Sequence, residues 1–102
     1  MYAEAISDFS KAIELNPSSA TSYNYFYYRG NSYYGLKMDA NAIKDFTQAI
    51  QLKPEFAEAW YYRSNSYFYL GQKEQSLNDL NKALELDPAN TKYLNFKTSN
   101  FK

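Results

Sequence analysis

The chain has 102 residues, enough for one compact domain but not two, and its 11 basic and 11 acidic residues give a formal net charge of zero. This balance lacks the basic excess of a nucleic-acid-binding surface, so we expect no nucleic-acid partner. Cysteine and histidine are both absent, which excludes a disulfide, a thiolate metal site and the commonest general base. We therefore expect no cofactor, no metal site and no enzyme activity.

Three similar phrases, each ending in a proline, run along the chain. They read AISDFSKAIELNP at 5–17, AIKDFTQAIQLKP at 42–54 and SLNDLNKALELDP at 76–88. Their apolar residues recur at the period of an α-helix, and a helix ends at or before a proline. Each phrase is therefore predicted to be a helix, and the last two prolines recur at a spacing of 34.

A second phrase alternates with the first. It reads FYYRGNSYYGLK at 26–37 and WYYRSNSYFYLG at 60–71, and its two arginines, Arg29 and Arg63, have the same spacing as the prolines. Its helical face is followed by a break at Leu36-Lys37 or Leu70-Gly71, so each unit is a pair of helices joined by a tight turn. Two helices at a period of 34 indicate a repeat array.

In chain order, six helices are predicted at about 2–15, 20–36, 39–52, 55–70, 73–86 and 90–101. Asp39 is expected to cap the third helix and Asn90 the sixth, because short polar side chains accept from the free amides of a first turn. Pro54 is expected in the first turn of the fourth helix.

The repeated residues resemble the tetratricopeptide repeat family. Both 26–54 and 60–88 follow its order of an aromatic residue, a small residue, a tyrosine and a closing proline, with arginine where the family has leucine. The resemblance implies an all-α fold of antiparallel helix-turn-helix repeats stacked in a right-handed superhelix, an α-solenoid. It also implies a concave groove lined by the first helix of each repeat.

We interpret residues 1–102 as one domain, made of an orphan second helix at 1–17, repeats at 18–54 and 55–88, and an orphan first helix at 89–102. Each orphan helix is expected to leave an apolar face bare. Head-to-tail self-association through these faces is one hypothesis; a two-fold contact between like ends, and a monomeric piece of a longer array, are the others. The residues concerned are Phe9, Ile13, Leu94 and Phe101.

The two arginines of the first helices are predicted to form structural ion pairs, because burying an unpaired guanidinium is costly. The candidate partners recur at one position of the second helices: Asp8, Asp45 and Asp79. Asp45 and Asp79 each follow an arginine at a spacing of 16, which allows pairing within a repeat. Pairing with the preceding repeat fits the sequence equally well, so the register stays open.

By this resemblance, a second stripe on the first helices faces the groove with its aromatic residues exposed. We expect it to bind a peptide segment of a partner protein, extended or helical, as a scaffold or adaptor. Alternatively, these side chains only pack on each other, and the chain is a structural self-assembly module. The stripe consists of Asn24, Tyr27, Asn31, Tyr34, Glu58, Tyr61, Asn65 and Phe68.

Many members of the family clamp the C-terminal carboxylate of heat-shock chaperones with basic residues and asparagines. Asn31 and Lys92 match two clamp positions, whereas Tyr27, Tyr62 and Phe96 replace a lysine, an asparagine and an arginine. We therefore expect no tight binding of chaperone tails. Because no stretch is long and apolar enough to span a bilayer, and none reads as a signal peptide, we expect no membrane partner and a cytoplasmic location.

Overall fold

The computed structural model describes residues 1–16 and 21–101. All regular structure in these two ranges is helical, which confirms the predicted fold class. The helices are α1 (Tyr2–Leu15), α2 (Tyr23–Gly35), α3 (Asp39–Leu52), α4 (Ala57–Tyr69), α5 (Lys73–Leu86) and α6 (Thr91–Asn100). The expected start of the second helix at residue 20 lies outside the described ranges, and α2 begins at Tyr23.

Consecutive helices pack against one another along the whole chain, and α2 also contacts α4 directly. Only three residues separate α2 from α3 and α4 from α5. Such short connections fold each pair into an antiparallel hairpin. Helices α2, α4 and α6 form one layer, called the first-helix layer below, and α1, α3 and α5 form the other. The result is an all-α helical repeat solenoid.

The two turns inside the hairpins have the same backbone conformation. Lys37 and Gly71 occupy equivalent positions, with φ angles of 61° and 82°. In both turns the following residue, Met38 or Gln72, donates its backbone N–H to a carbonyl five residues earlier, at 2.8 and 2.9 Å. Glycine adopts this left-handed conformation without strain, whereas lysine does so at some cost. The repeats are therefore superimposable in the turns as well as in the helices.

The core lies between the two layers and repeats with the helices. Phe46 and Ala49 of α3 are 0% exposed, as are Leu80 and Ala83 of α5. Gly30 of α2 lies so close to the Phe46 ring that an added Cβ would stand 2.8 Å from it. A glycine at this point lets α2 and α3 approach closely, which is why this repeat accommodates a phenylalanine.

The helix-start predictions have mixed outcomes. Asn90 caps α6 as predicted, with its Oδ1 accepting from the Tyr93 backbone N–H at 3.2 Å. The Asp39 prediction is wrong: Met38 is the N-cap residue of α3, its carbonyl accepts from the Ala42 N–H, and Asp39 is already in the first turn. The Pro54 prediction is also wrong, since α4 begins only at Ala57.

In the part of the chain that the structure describes, no helix is long and apolar enough to cross a membrane. Within the same residues, no group of three or more acidic side chains could hold a metal ion.

Candidate functional site

Each of the two complete repeats has one largely buried ion pair, which joins its first helix to its second helix. Arg29 donates from Nε and Nη2 to the two carboxylate oxygens of Asp45, both at 2.7 Å. Arg63 makes the same pair of bonds to Asp79, at 2.7 and 2.8 Å. Both aspartate side chains are only 6% exposed. Pairing within a repeat is therefore the register in use, and the hydrogen bond that Arg29 donates to Asp45 raises the pKa of Arg29 above its ordinary value.

Among the described residues, neither arginine pairs with an aspartate of the preceding repeat, and Asp8 is exposed. The preceding repeat instead supplies a hydroxyl group. Arg29 Nη1 donates to Ser10 Oγ and Arg63 Nη1 donates to Thr47 Oγ1, both at 3.1 Å. The equivalent position of α5 also accepts a hydrogen bond from the next first helix.

This position of α5 is Asn81, whose Oδ1 accepts from Lys97 Nζ at 2.9 Å. Lys97 of α6 follows Arg63 by one repeat period, and Asn81 follows Thr47 by the same period. One polar position of each second helix is therefore the contact to the next repeat. Asp79 pairs with Arg63, and Lys97 bonds to the Asn81 amide.

Aromatic rings cover the first-helix layer and join its helices. Tyr62 of α4 lies 6.2 Å from the ring of Tyr27 and 6.0 Å from that of Tyr34, both on α2. Tyr61 stacks on Tyr93 of α6, with ring centroids 4.6 Å apart. This layer is the predicted groove face, and contacts between aromatic rings join its neighbouring helices.

Two of the predicted groove aromatics are not exposed, and the expectation of an exposed stripe is wrong for them. Tyr27 is 5% exposed and Tyr61 is 6% exposed. Helices α2 and α4 each contact at least three other helices, including one another, and this packing buries residues that lie beside the core stripe. Tyr34 and Phe68, at the other end of the stripe, remain half-buried.

The hydroxyl of Tyr27 connects the two repeats. It donates to Glu58 Oε2 at 2.7 Å, which links α2 to the exposed first turn of α4. Burial raises the pKa of Tyr27 above its ordinary value; the Asn31 amide opposes this shift, and the Glu58 carboxylate adds to it. Tyr27 and Glu58 therefore fix α2 and α4 to one another within the first-helix layer.

The three predicted groove asparagines lie in different surroundings. Asn24 and Asn31 are half-buried on α2. Asn65 of α4 is 5% exposed, and its Oδ1 has no hydrogen-bond donor among the described residues. Buried polar atoms in native proteins nearly always have a partner. Asn65 is therefore a predicted groove residue whose buried Oδ1 lacks the usual hydrogen-bond donor within the described ranges.

Two cavities open on the first-helix layer. The Tyr34 cavity, of about 640 Å³, is lined by Tyr34, Gly35, Lys37, Asp39 and Tyr69. The Tyr61 cavity, of about 470 Å³, lies between α4 and α6. Its lining residues are Tyr61, Thr91, Lys92, Asn95, Phe96, Ser99 and Asn100. Each cavity thus contains one predicted groove residue, Tyr34 or Tyr61, together with residues that the sequence reasoning did not select.

Asp39, Tyr69 and Asn95 line the two cavities, and the sequence analysis did not select them as site residues. Asp39 is the first residue of α3, a second helix, and it reaches the cavity only because the short turn folds back beside Tyr34. Tyr69 lies one residue beyond Phe68 and is 62% exposed. The exposure of an aromatic residue at a helix end was the available signal.

The clamp positions are arranged against anion binding. Tyr27 is engaged by Glu58, and Phe96 packs edge-on against Tyr61 and Phe68. Lys92 lies over the rings of Tyr61 and Tyr62. Its Nζ donates to the Tyr62 hydroxyl at 3.3 Å. One cation against two rings is not a carboxylate clamp.

The residues expected on bare terminal faces are mostly covered within the chain. Phe9 stacks on Tyr28 at 5.7 Å, and Ile13 packs against the core around Phe26 and Phe46. Phe101 contacts Phe68 and Phe96. Leu94 alone of the four predicted contact residues is exposed, at 41%. Self-association of the chain stays a prediction, and it has a smaller apolar surface to use than expected.

Comparison with known proteins gives one consistent result. A profile of the tetratricopeptide repeat matches residues 23–56 and 57–90, and a second profile with the same description matches residues 1–19. The two copies of the first profile together cover about two thirds of the chain. No curated protein sequence matches the chain.

Solved structures similar to this chain are tetratricopeptide repeat domains. The first such domain of Spaghetti (RPAP3), bound to the HSP90 peptide SRMEEVD, is 28% identical, with a TM-score of 0.88 over 96% of this chain and 75% of that one. The second domain of human RPAP3, in complex with the HSP70 peptide SGPTIEEVD, is 25% identical, with a TM-score of 0.89 over 99% and 82%. The Arabidopsis OM64 domain, at 23% identity and a TM-score of 0.89 over 96% and 78%, shares the fold. Because the matched repeats cover more than half of its residues, the chain belongs to the tetratricopeptide repeat family.

Proposed function

We propose that this protein-interaction module binds a peptide segment of a partner protein along the first-helix layer, as a scaffold or adaptor. One observation carries the proposal: two cavities on that layer are lined by Tyr34 and Tyr61, which the family resemblance had placed in a groove.

The contacts available to a peptide are of two kinds. Half-buried Tyr34 and Phe68 offer apolar surface, and aromatic anchors usually carry most of the energy of such interfaces. The half-buried amide of Asn31 can present a donor and an acceptor to a peptide backbone. The RPAP3 domains, solved with HSP90 and HSP70 peptides, support a peptide as the kind of partner.

Recognition of an acidic C-terminal tail is not part of this proposal. Tyr27, Tyr62 and Phe96 pack with other residues of the chain where clamp residues would stand, and Glu58 adds a negative charge to the same face. We expect the HSP90 peptide SRMEEVD to bind this chain much more weakly than a peptide selected for it.

The test is selection of binders from a random peptide library, followed by affinity measurement against variants. Asn31→Ala combined with Asn65→Ala should abolish binding. The matched control combines Asn41→Ala and Asn78→Ala, two exposed asparagines of the second helices, and should keep it. Thermal melting by circular dichroism checks that both proteins fold. Equal loss in the two proteins, or no enriched peptide at all, would contradict the proposal.

A further inference from the structure

The Tyr34 cavity combines aromatic rings with an incompletely bonded carboxylate. It lies where α2 ends and α3 begins, beside the end of α4. The rings of Tyr34 and Tyr69 border it, with centroids 6.2 Å apart. Tyr34 is half-buried and thus fixed in place, whereas Tyr69 is 62% exposed. The two rings therefore form a wall that a ligand can reach from solvent.

Asp39 supplies the charge of this cavity. It is half-buried in the first turn of α3, and its Oδ1 is shielded from solvent without a hydrogen-bond donor among the described residues. The residue as a whole is only half-buried and lines the cavity, so its carboxylate charge faces a ligand there without an internal counter-charge bonded to it among the described residues. Lys37, on the exposed turn, is the cation at the rim of the same cavity.

The second repeat indicates what this geometry accommodates. One repeat period after Tyr34 and Asp39 stand Phe68 and Lys73. Lys73 places its Nζ 5.9 Å from the centre of the Phe68 ring. The turn conformations at Lys37 and Gly71 match, so the two arrangements are structurally equivalent. In one repeat the chain puts its own ammonium over the ring; in the other the same helix position is a carboxylate.

We propose that the Tyr34 cavity binds a basic side chain, lysine or arginine, of the partner peptide, an inference that rests on the proposed function. The ammonium or guanidinium lies against the faces of Tyr34 and Tyr69, which attract cations. Its N–H groups donate to Asp39 in a charge-assisted hydrogen bond. An acidic side chain in the same place would be repelled by Asp39.

Lys37 and Asp39 have opposite charges in the same cavity, so they affect the binding of a basic side chain in opposite ways. The Lys37 ammonium stands at the rim and disfavours a second cation, although its exposure leaves it free to move into solvent. Removing the Lys37 charge should strengthen the binding of a basic side chain, whereas removing the Asp39 charge should weaken it. A site for anions would respond to both changes in the reverse sense.

The experiment uses the peptides selected from a random library on the full chain. We expect one position of these peptides to be fixed as lysine or arginine. Replacing that residue by norleucine should weaken binding about tenfold, the scale of a desolvated cation–π contact. Asp39→Asn and Tyr69→Ala should have a similar effect, and Lys37→Gln should strengthen binding. Glu74→Gln, which removes an exposed charge from the first turn of α5, is the charge-matched control.

A direct probe separates this inference from the proposed function. Nα-acetyl-lysine methylamide should shift the ring signals of Tyr34 and Tyr69 in nuclear magnetic resonance spectra more than Nα-acetyl-glutamate methylamide does. Selected peptides without a fixed basic residue, or binding unaffected by both Asp39→Asn and Tyr69→Ala, would overturn the inference and leave the peptide groove standing. A fixed acidic residue, or a larger shift with the glutamate derivative, would overturn it as well. Failure to select any peptide would overturn the groove itself.

Discussion

Arg63 and Asp79 meet through two parallel hydrogen bonds, from Nε to Oδ2 at 2.7 Å and from Nη2 to Oδ1 at 2.8 Å. The guanidinium side chain is 15% exposed and the carboxylate 6%. This two-point geometry matches the planar fork of arginine to a carboxylate, which lysine cannot do. The pair fixes the position of α4 relative to α5. The remaining guanidinium nitrogen of Arg63, Nη1, bonds to Thr47 of the previous repeat.

Asp79→Ala should therefore destabilise the chain strongly. It leaves a largely buried guanidinium without its counter-charge, and breaking a buried pair in this way typically costs about 3–5 kcal/mol of unfolding free energy. Urea denaturation measures the loss. Replacing Arg63 and Asp79 together by Leu should cost much less, because no unpaired charge then remains.

The control for this prediction is Asp8→Ala, at the equivalent position of α1, where the side chain is exposed. It should change the unfolding free energy by less than about 0.5 kcal/mol. A loss below about 1 kcal/mol for Asp79→Ala would mean that the pair behaves as a surface ion pair.

Thr47→Val tests the contact between repeats. Thr47 Oγ1 accepts from Arg63 Nη1 at 3.1 Å and donates to the Ile43 carbonyl at 2.7 Å. Losing the bond to a charged group should cost about 1.5–3 kcal/mol. Thr98→Val is the matched control, since exposed Thr98 makes the equivalent bond within its own helix, to the Leu94 carbonyl at 2.9 Å. Equal losses in the two variants would show that the Arg63 contact contributes nothing.

Gly30→Ala and Gly35→Ala should have opposite effects, although both glycines are in α2. A Cβ at Gly30 would stand 2.8 Å from the ring of Phe46, which is 0% exposed and has no room to move. Overpacking of this kind costs about 1–3 kcal/mol, more than the gain of about 1 kcal/mol in helix propensity. At Gly35 the nearest group is the ring of Tyr2, which is 43% exposed and free to turn away. Thermal melting should therefore show a lower midpoint for Gly30→Ala and an unchanged or higher one for Gly35→Ala.

Alkaline pH should unfold the chain through its buried tyrosines. Burial raises the pKa of Tyr27, Tyr34 and Tyr93 above the ordinary value of 10.0. The unfolded chain therefore releases these protons near pH 10, whereas the folded chain retains them. Stability is constant with respect to these groups below that pH and falls above it, by at most about 1.4 kcal/mol per pH unit for each tyrosine.

Tyr27→Phe tests whether the tyrosine at this position contributes to the fall in unfolding free energy above about pH 10. At neutral pH it should cost about 1 kcal/mol, because the bond to Glu58 is lost. Above about pH 10 its unfolding free energy should fall less steeply than that of the parent chain, since one titrating group is gone. Urea titrations on both sides of that pH give the two slopes. Parallel slopes would show that Tyr27 does not contribute to alkaline unfolding.

The positions of the helices and their repetition were determined by the sequence alone. Apolar spacing within a helix is local, because residues three and four apart share a face whatever surrounds them. For this reason α3 and α5 begin and end where the repeated phrases predict. The equal spacing from Arg29 to Asp45 and from Arg63 to Asp79 likewise identified the partners of both arginines as one of two alternatives.

Only the tertiary structure decided which alternative holds and which groove residues remain open. The register depends on which second helix lies opposite the guanidinium, and no local pattern specifies that. Tyr27 and Tyr61 look like surface residues on a single hairpin, yet the neighbouring first helix buries them to 5% and 6% exposure. The Tyr34 cavity joins residues of three helices, and its two rings, Tyr34 and Tyr69, belong to different repeats. Burial and cavities are properties of several helices packed together, whereas periodicity describes one helix at a time.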